Sequence, residues 1–214
     1  MTIDSSKPVM LLGGRENALS VTRNLGRQGI KVRVSDEPNS WAASSRFCAE
    51  SFPVPKGSTL AGHWKELLLG KGSERFHGQV VFACNDTALE FLADNRDDLL
   101  THYLLVDSEP RLQRALLDKK ETLALARKAG VPTPNFWSIK NASEVDGIRN
   151  EIRFPVMVKP IHSHKFNRIF GRKLFIVENS FDEVAEKIRL SHEHGMEVMV
   201  VEMIPGPDSL LASY

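Results

Sequence analysis

Across residues 152–177 the sequence carries six cations, Arg153, Lys159, Lys165, Arg168, Arg172 and Lys173, together with two histidines and no acid. The whole chain has 28 Lys+Arg against 27 Asp+Glu, a net charge of +1, so a stripe of one sign is a local feature. Its natural counter-ion is phosphate. Lys159 stands apart from the other five. It closes the apolar run Phe154-Pro-Val-Met-Val and is followed by Pro160, so its stem is expected to be partly buried and its ammonium directed. The remaining cations also suit the solvent face of a basic hairpin.

A second place where chemistry could gather lies near the N-terminus. Val9-Met-Leu-Leu12 runs into Gly13-Gly14, and Asp36 ends the next apolar stretch. A dinucleotide turn needs G-x-G-x-x-G, so that the backbone can approach a pyrophosphate and the helix can pack closely. Here two glycines are adjacent and the third is missing, which leaves a plain tight turn as the competing reading, with Asp36 as a ribose acid only in the first case. No P-loop, G-x-S-x-G or H-E-x-x-H occurs. His162-Ser-His164 and His192-Glu-His194 lack further spaced ligands and read as solvated side chains rather than a metal site. Cys48 and Cys84 form neither CxxC nor a disulfide framework and read as small buried hydrophobes.

The elements that must position these residues follow from periodicity. In the first half, apolar runs at Val9-Met-Leu-Leu12, Ile30-Lys-Val-Arg-Val34, Val80-Val-Phe-Ala-Cys84 and Tyr103-Leu-Leu-Val106 read as strands. Between them lie helical patterns: one capped by Asn17 with Ala18, Val21 and Leu25 on one face, one around Leu60, Trp64, Leu67 and Leu68, and one from Asn85. Strand alternating with helix predicts a doubly wound, Rossmann-like parallel sheet. In the second half, a helix opens at Asp118 and stops at Gly130-Val-Pro132. Strands are expected at Phe136-Trp-Ser-Ile139, Phe154 to Lys159, Lys173-Leu-Phe-Ile-Val177 and Glu197-Val-Met-Val-Val-Glu202, and one more at Leu210-Leu-Ala-Ser-Tyr214. Asn141 with Glu144, and Ser180 with Glu183, mark helix starts of capping-box type. The expected division is 1–112 and 113–214, with the connection in 108–117.

Composition limits the function classes. With 214 residues, 42% hydrophobic and 26% charged, the chain is long enough for a core and too apolar for disorder. The charge balance argues against a nucleic-acid coat. No apolar run approaches the roughly 18 residues of a membrane-spanning helix, and Met1-Thr-Ile-Asp-Ser-Ser-Lys-Pro8 does not resemble a signal peptide. A cytoplasmic protein without membrane or nucleic-acid partners is expected, with room for a homo-oligomer.

Three ordered segments resemble the ATP-grasp superfamily: Asp118-Lys119 opening a helix that ends Ala129-Gly-Val-Pro-Thr-Pro134, Phe154-Pro-Val-Met-Val-Lys-Pro160, and Val201-Glu-Met-Ile-Pro-Gly-Pro-Asp208. The first half, through Gly13-Gly-Arg-Glu-Asn-Ala18, Leu25-Gly-Arg-Gln-Gly-Ile30 and Ser45-Arg46, is similar to the domain that precedes an ATP grasp. The likeness is to the carboxylate–amine ligases of D-aspartate ligase type and, more distantly, to carbamoyl-phosphate synthetase and biotin carboxylase. It implies an α/β fold: a Rossmann-like pre-ATP-grasp domain, then the first part of an ATP-grasp domain with its α+β lid subdomain. It also implies ATP and Mg²⁺ as cofactors, and small-molecule carboxylate and amine substrates. Lys119 and Lys159 match the lysines that reach the ATP phosphates. The backbone C=O of Glu202 and N–H of Ile204 match the adenine hinge, and Asp208 the ribose acid. Lys165, Arg172 and Lys173 are further phosphate candidates, and Gly14, Asn85 and Asp86 border a substrate site, although helix capping also explains Asn85 and Asp86.

The departures from the family are informative. Val201 stands where relatives often have Glu or Gln, which removes one side-chain contact to adenine. The lid, residues 162–171, is usually a glycine-rich loop and here has one glycine, so its side chains are expected to take over part of the phosphate contact. In the family the metal ligands lie beyond the hinge, so none is expected in these residues, and the chain reads as the front part of a longer ligase truncated after the hinge. The implied reaction of the intact ligase passes through an acyl phosphate. For the 214 residues by themselves, a non-catalytic nucleotide- or partner-binding module competes. A third expectation, an NAD-dependent oxidoreductase, rests on Gly13-Gly14 and Asp36.

Overall fold

The structure is a computed structural model and describes residues 5–161, 163–207 and 209. His162, Asp208 and the strand expected at 210–214 lie outside the described residues. The chain divides into two compact units, 1–114 and 115–214.

In the first unit four short strands, β1 (Val9–Leu12), β2 (Val32–Ser35), β3 (Cys48–Ser51) and β4 (Val80–Ala83), form a parallel sheet in the order β3-β2-β1-β4. Helices α1 (Arg15–Arg27), α2 (Leu60–Leu69), α3 (Asp86–Asp94) and α4 (Arg96–Leu100) accompany it. Strand alternation splits β1 between two cores. Met10 and Leu12 pack with Trp64, Leu68, Phe91 and Leu99. Val9 and Leu11 pack with Ala18, Val32, Val34 and Ala42. Burial on both faces explains why β1 is uninterrupted apolar sequence.

Three local expectations change. The α1 N-cap is Gly14, at φ 96, and Asn17 lies inside the helix, where its Nδ2 donates to the Cys84 carbonyl at 3.4 Å. The run Tyr103-Leu-Leu-Val106 makes a single bridge, Leu104 to Val80. Its Tyr103 ring is drawn inward instead, with the hydroxyl donating to the Leu68 carbonyl at 2.8 Å. Strand β3 was not expected, because Cys-Ala-Glu-Ser is half exposed at a sheet edge and carries no apolar pattern.

Helix α5 (Pro110–Leu117) spans the division, and α6 (Lys119–Lys128) follows it. The second unit is built on an antiparallel sheet of β5 (Phe136–Ser138), β6 (Val156–Pro160), β7 (Phe175–Val177) and β8 (Val198–Glu202), ordered β5-β8-β6-β7. Helices α7 (Ser163–Phe170) and α8 (Phe181–Glu193) and a 3₁₀ segment, Ala142–Ile148, complete it. Ser180 caps α8 by accepting from the Glu183 N–H at 3.2 Å, and Val184 and Ile188 pack on Val156, Val158, Val177 and Val200. Asn141 does not cap its segment through its side chain. The Glu144 carboxylate accepts from the Lys140 N–H at 3.1 Å instead of the Asn141 N–H, and the turn stays 3₁₀.

The largest revision concerns the lid. Residues 163–170 are helical, not a loop, because Phe166 and Phe170 fall at i and i+4 and enter the core with Phe175. The lone glycine, Gly171 at φ 63, follows the helix end.

Candidate functional site

The site begins with the two faces of the second sheet. Val156 and Val158 point to the α8 core, so Met157 and Lys159 point the other way. Cross-strand partners share a face, which places Met199, Val201, Ile176, Phe136 and Ser138 beside them. Met199 and Val201 are buried, whereas Ile176 is 46% exposed. The result is a cation beside a partly open apolar surface.

Lys159 is half-buried, and among the described residues its ammonium has no hydrogen-bond or ion-pair partner. Burial pushes its pKa below the ordinary lysine value, and the positive charge of Lys119 pushes the same way. Lys119 is fixed by sequence-local chemistry. Asp118 caps α6 by accepting from the N–H groups of Lys120, at 2.8 Å, and Glu121, at 3.1 Å. Lys119 is therefore the first helical residue, and its Nζ donates to the Ile161 carbonyl at 3.2 Å, just past the end of β6. Two lysines are thus held close enough to repel, one of them unpartnered, a charge arrangement that a neighbouring anion would relieve.

The strand end supplies the second half of the site. Glu202 N–H donates to the Asn135 carbonyl on the β5 side at 2.8 Å, and Met203 N–H donates to the Pro155 carbonyl on the β6 side at 3.3 Å. Alternation then directs Glu202 C=O to the β5 side, while Ile204 lies past the end of β8. In a regular ladder the Asn135 N–H would go to that Glu202 carbonyl. It goes instead to Glu202 Oε2, at 3.0 Å. The preceding residue is Pro134, which has no N–H to offer. Ile204 is 61% exposed.

Of the other expected phosphate contacts, Arg172 is placed away from Lys159. Arg172 stacks over the Phe175 ring at 5.6 Å, and Phe175 belongs to the core face, opposite Lys159. Lys173 is exposed. Lys165 lies on α7, and Asp208 is outside the described residues. A cavity of about 510 Å³ adjoins Lys119's anchor, lined by Asp118, Glu121, Ile139, Ile161, Met196 and Val198, but it includes neither Lys159 nor the hinge. Among the described residues no group of three or more His, Cys, Asp or Glu could hold a metal ion.

In the first unit, Gly13 and Gly14 are required by close approach. A Cβ on Gly13 would meet the Asn85 side chain at 2.3 Å, and one on Gly14 would meet Cys84 Cβ at 2.2 Å. Asn85 accepts from the Ala88 N–H at 2.8 Å as the α3 cap, and Asp86 is exposed in the first turn. Gly14, Asn17, Asp36, Cys84 and Asn85 border a cavity of about 250 Å³. Asp36 is 4% exposed, and its carboxylate accepts from the N–H groups of Arg15, at 3.2 Å, and Glu37, at 2.8 Å, and from the Ser40 hydroxyl, at 2.8 Å. A ribose would have to displace these donors, so the dinucleotide reading finds no free acid here. Burial, with a smaller contribution from the Asp36 charge, pushes the Cys84 thiol up to about 12, which makes it a poor nucleophile at neutral pH.

Comparison with known proteins gives the same architecture. No family model matches the chain. D-alanine–D-alanine ligase of Hydrogenovibrio crunogenus is 29% identical over 90 residues, 42% of this chain and 27% of that protein. The L-amino acid ligase of Bacillus licheniformis superposes with a TM-score of 0.65 at 16% identity, over 96% of this chain and 46% of that one. Carboxyaminoimidazole ribonucleotide synthase of Aspergillus clavatus, solved with ATP, gives a TM-score of 0.66 at 20% identity, over 92% and 47%. The chain thus spans about half the length of these solved structures and about a quarter of the curated relative. These likenesses show the fold, a parallel-sheet α/β unit followed by a unit built on an antiparallel sheet with helices. Among the described residues no helix is long and apolar enough to cross a membrane.

Proposed function

We propose that the second unit holds ATP for a carboxylate–amine ligase. The observation that carries this reading is Lys159: a half-buried, unpartnered ammonium with Lys119 at its side, on the open face of the sheet. That arrangement disfavours the charge until an anion arrives, and a triphosphate supplies several. Met157 and Ile176 offer apolar surface to a flat base. Glu202 C=O, with the Ile204 N–H two residues on, supplies the acceptor and donor that adenine's amine and ring nitrogen require. Solved proteins of this fold contain ADP or ATP, which supports the reading.

In the proposed reaction a substrate carboxylate oxygen attacks the γ-phosphorus and ADP leaves, and an amine then attacks the acyl phosphate and expels inorganic phosphate. Lys119 and Lys159 stabilise charge on the phosphates, a positioning and electrostatic role. Mg²⁺ is part of the proposal for the whole protein, where it would offset phosphate charge; among the described residues no group of three or more His, Cys, Asp or Glu could hold it. Gly14 and Asn85, which border the cavity of the first unit, and the adjacent Asp86 are proposed to face the substrate. In the whole protein, ADP release that depends on both a carboxylate and an amine is expected, and ADP release independent of a carboxylate would overturn the ligase reading.

A further inference from the structure

The end of β8 departs from regular sheet geometry at one bond. Phe136 pairs with Val201 and Trp137 with Val200, so the next pair is Asn135 with Glu202. Glu202 N–H donates to the Asn135 carbonyl at 2.8 Å, which marks this as a hydrogen-bonded pair whose regular partner bond runs from Asn135 N–H to the Glu202 carbonyl. That second bond is replaced, and the Asn135 N–H is taken at 3.0 Å by Glu202's own carboxylate, through Oε2. The Glu202 carbonyl is therefore left without a strand partner among the described residues.

We infer that the Glu202 carboxylate is a positioning group that keeps its own backbone carbonyl free to accept from the 6-amino group of the bound purine. The inference rests on the proposed nucleotide site and adds to it a side chain that does not touch the ligand. An unpaired peptide carbonyl at a strand end closes onto the nearest N–H, and Asn135 is that N–H. An anionic acceptor makes a stronger hydrogen bond than a neutral carbonyl, so the carboxylate outcompetes the carbonyl for the shared donor. Pro134 contributes no N–H, so no second donor follows along that edge. One surrogate bond thus holds the end of β5 against β8 and leaves the acceptor open.

The test compares ATP with purine riboside triphosphate, which lacks the 6-amino group, for wild type, Glu202→Ala and Glu202→Gln, by isothermal titration of the full chain. Wild type is expected to favour ATP by about tenfold, the worth of one such hydrogen bond. In Glu202→Ala the Asn135 N–H turns to the carbonyl of residue 202. The preference then collapses to about onefold, while affinity for the 6-deamino nucleotide holds. Glu202→Gln keeps an acceptor oxygen and retains most of the preference. A Glu202→Ala chain that still favours ATP tenfold, or that weakens on both nucleotides equally, overturns the inference. If wild type binds neither nucleotide, the nucleotide reading itself fails and this role falls with it. A through-hydrogen-bond NMR coupling from Asn135 N separates the two failures. Coupling to Glu202 Cδ supports the surrogate bond, whereas coupling to the Glu202 backbone carbonyl carbon contradicts it whatever the ligand.

Discussion

Replacing Lys159 by methionine separates a binding cation from a structural one. The ammonium is half-buried, has no partner among the described residues and lies close enough to Lys119 for the two charges to repel. Removing it relieves that penalty and places a thioether on the face that holds Met157 and Met199. Without ligand, the Lys159→Met chain should be level with wild type or more stable by up to roughly 1 kcal/mol, about 2–4 °C in Tm for a chain of this size. The pH dependence has a defined sign. Because burial lowers the folded pKa below 10.5, the unfolded chain binds more protons as pH rises toward 10.5. Wild-type stability at this site therefore increases with pH, and the gap to the variant closes as pH passes 10.5. ATP affinity moves the opposite way. Loss of one charge-assisted phosphate contact, worth about 1.5–3 kcal/mol, weakens binding roughly ten- to hundredfold. Urea unfolding at pH 7 and pH 10, with isothermal titration of ATP, measures both. A variant that loses more than about 1 kcal/mol of stability without ligand, or that binds ATP as wild type does, would refute the reasoning.

Two further perturbations test the surroundings. Asp36→Ala leaves three donors, the N–H groups of Arg15 and Glu37 and the Ser40 hydroxyl, without their acceptor at a site 4% exposed. It should cost about 2–4 kcal/mol in urea unfolding, and a loss under about 0.5 kcal/mol would return Asp36 to the pool of ligand-binding acids. Phe166→Ala should cost about 3–5 kcal/mol because the ring is fully buried against Phe170 and Phe175, whereas a lid loop would lose almost nothing.

What could be read from the sequence was what local physics controls. β1 and β4 are uninterrupted apolar runs followed by a glycine turn and a capped helix respectively, β2 is an alternating run, and Ser180 and Asp118 cap the helices they are expected to open. The directed character of Lys159 was visible in an apolar strand followed by proline. β3 was not legible, because Cys48-Ala-Glu-Ser51 gains its strand conformation by pairing with β2 rather than from its own residues. The helix at 163–170 has a local signal, the helical spacing of Phe166 and Phe170, that runs against the loop the resemblance implies. Arg172 could not be excluded from the site by sequence, since only the register of Phe175 with Val158 shows that it stacks on the far side. The surrogate bond from Asn135 to Glu202 depends on strand register, which no local pattern encodes.

In the proposed site ATP lies on the partly open, Lys159-bearing face of the β5-β8-β6-β7 sheet. The most direct measurement is the methyl NMR spectrum of the full chain during titration with ATP. Saturable shifts are expected at Met157, Met199, Ile176 and Ile204, with Val177, Val184 and Ile188, on the other side of the sheet, left in place. Shifts confined to the first unit or to the α8 core, or no shift at millimolar ATP, would contradict it.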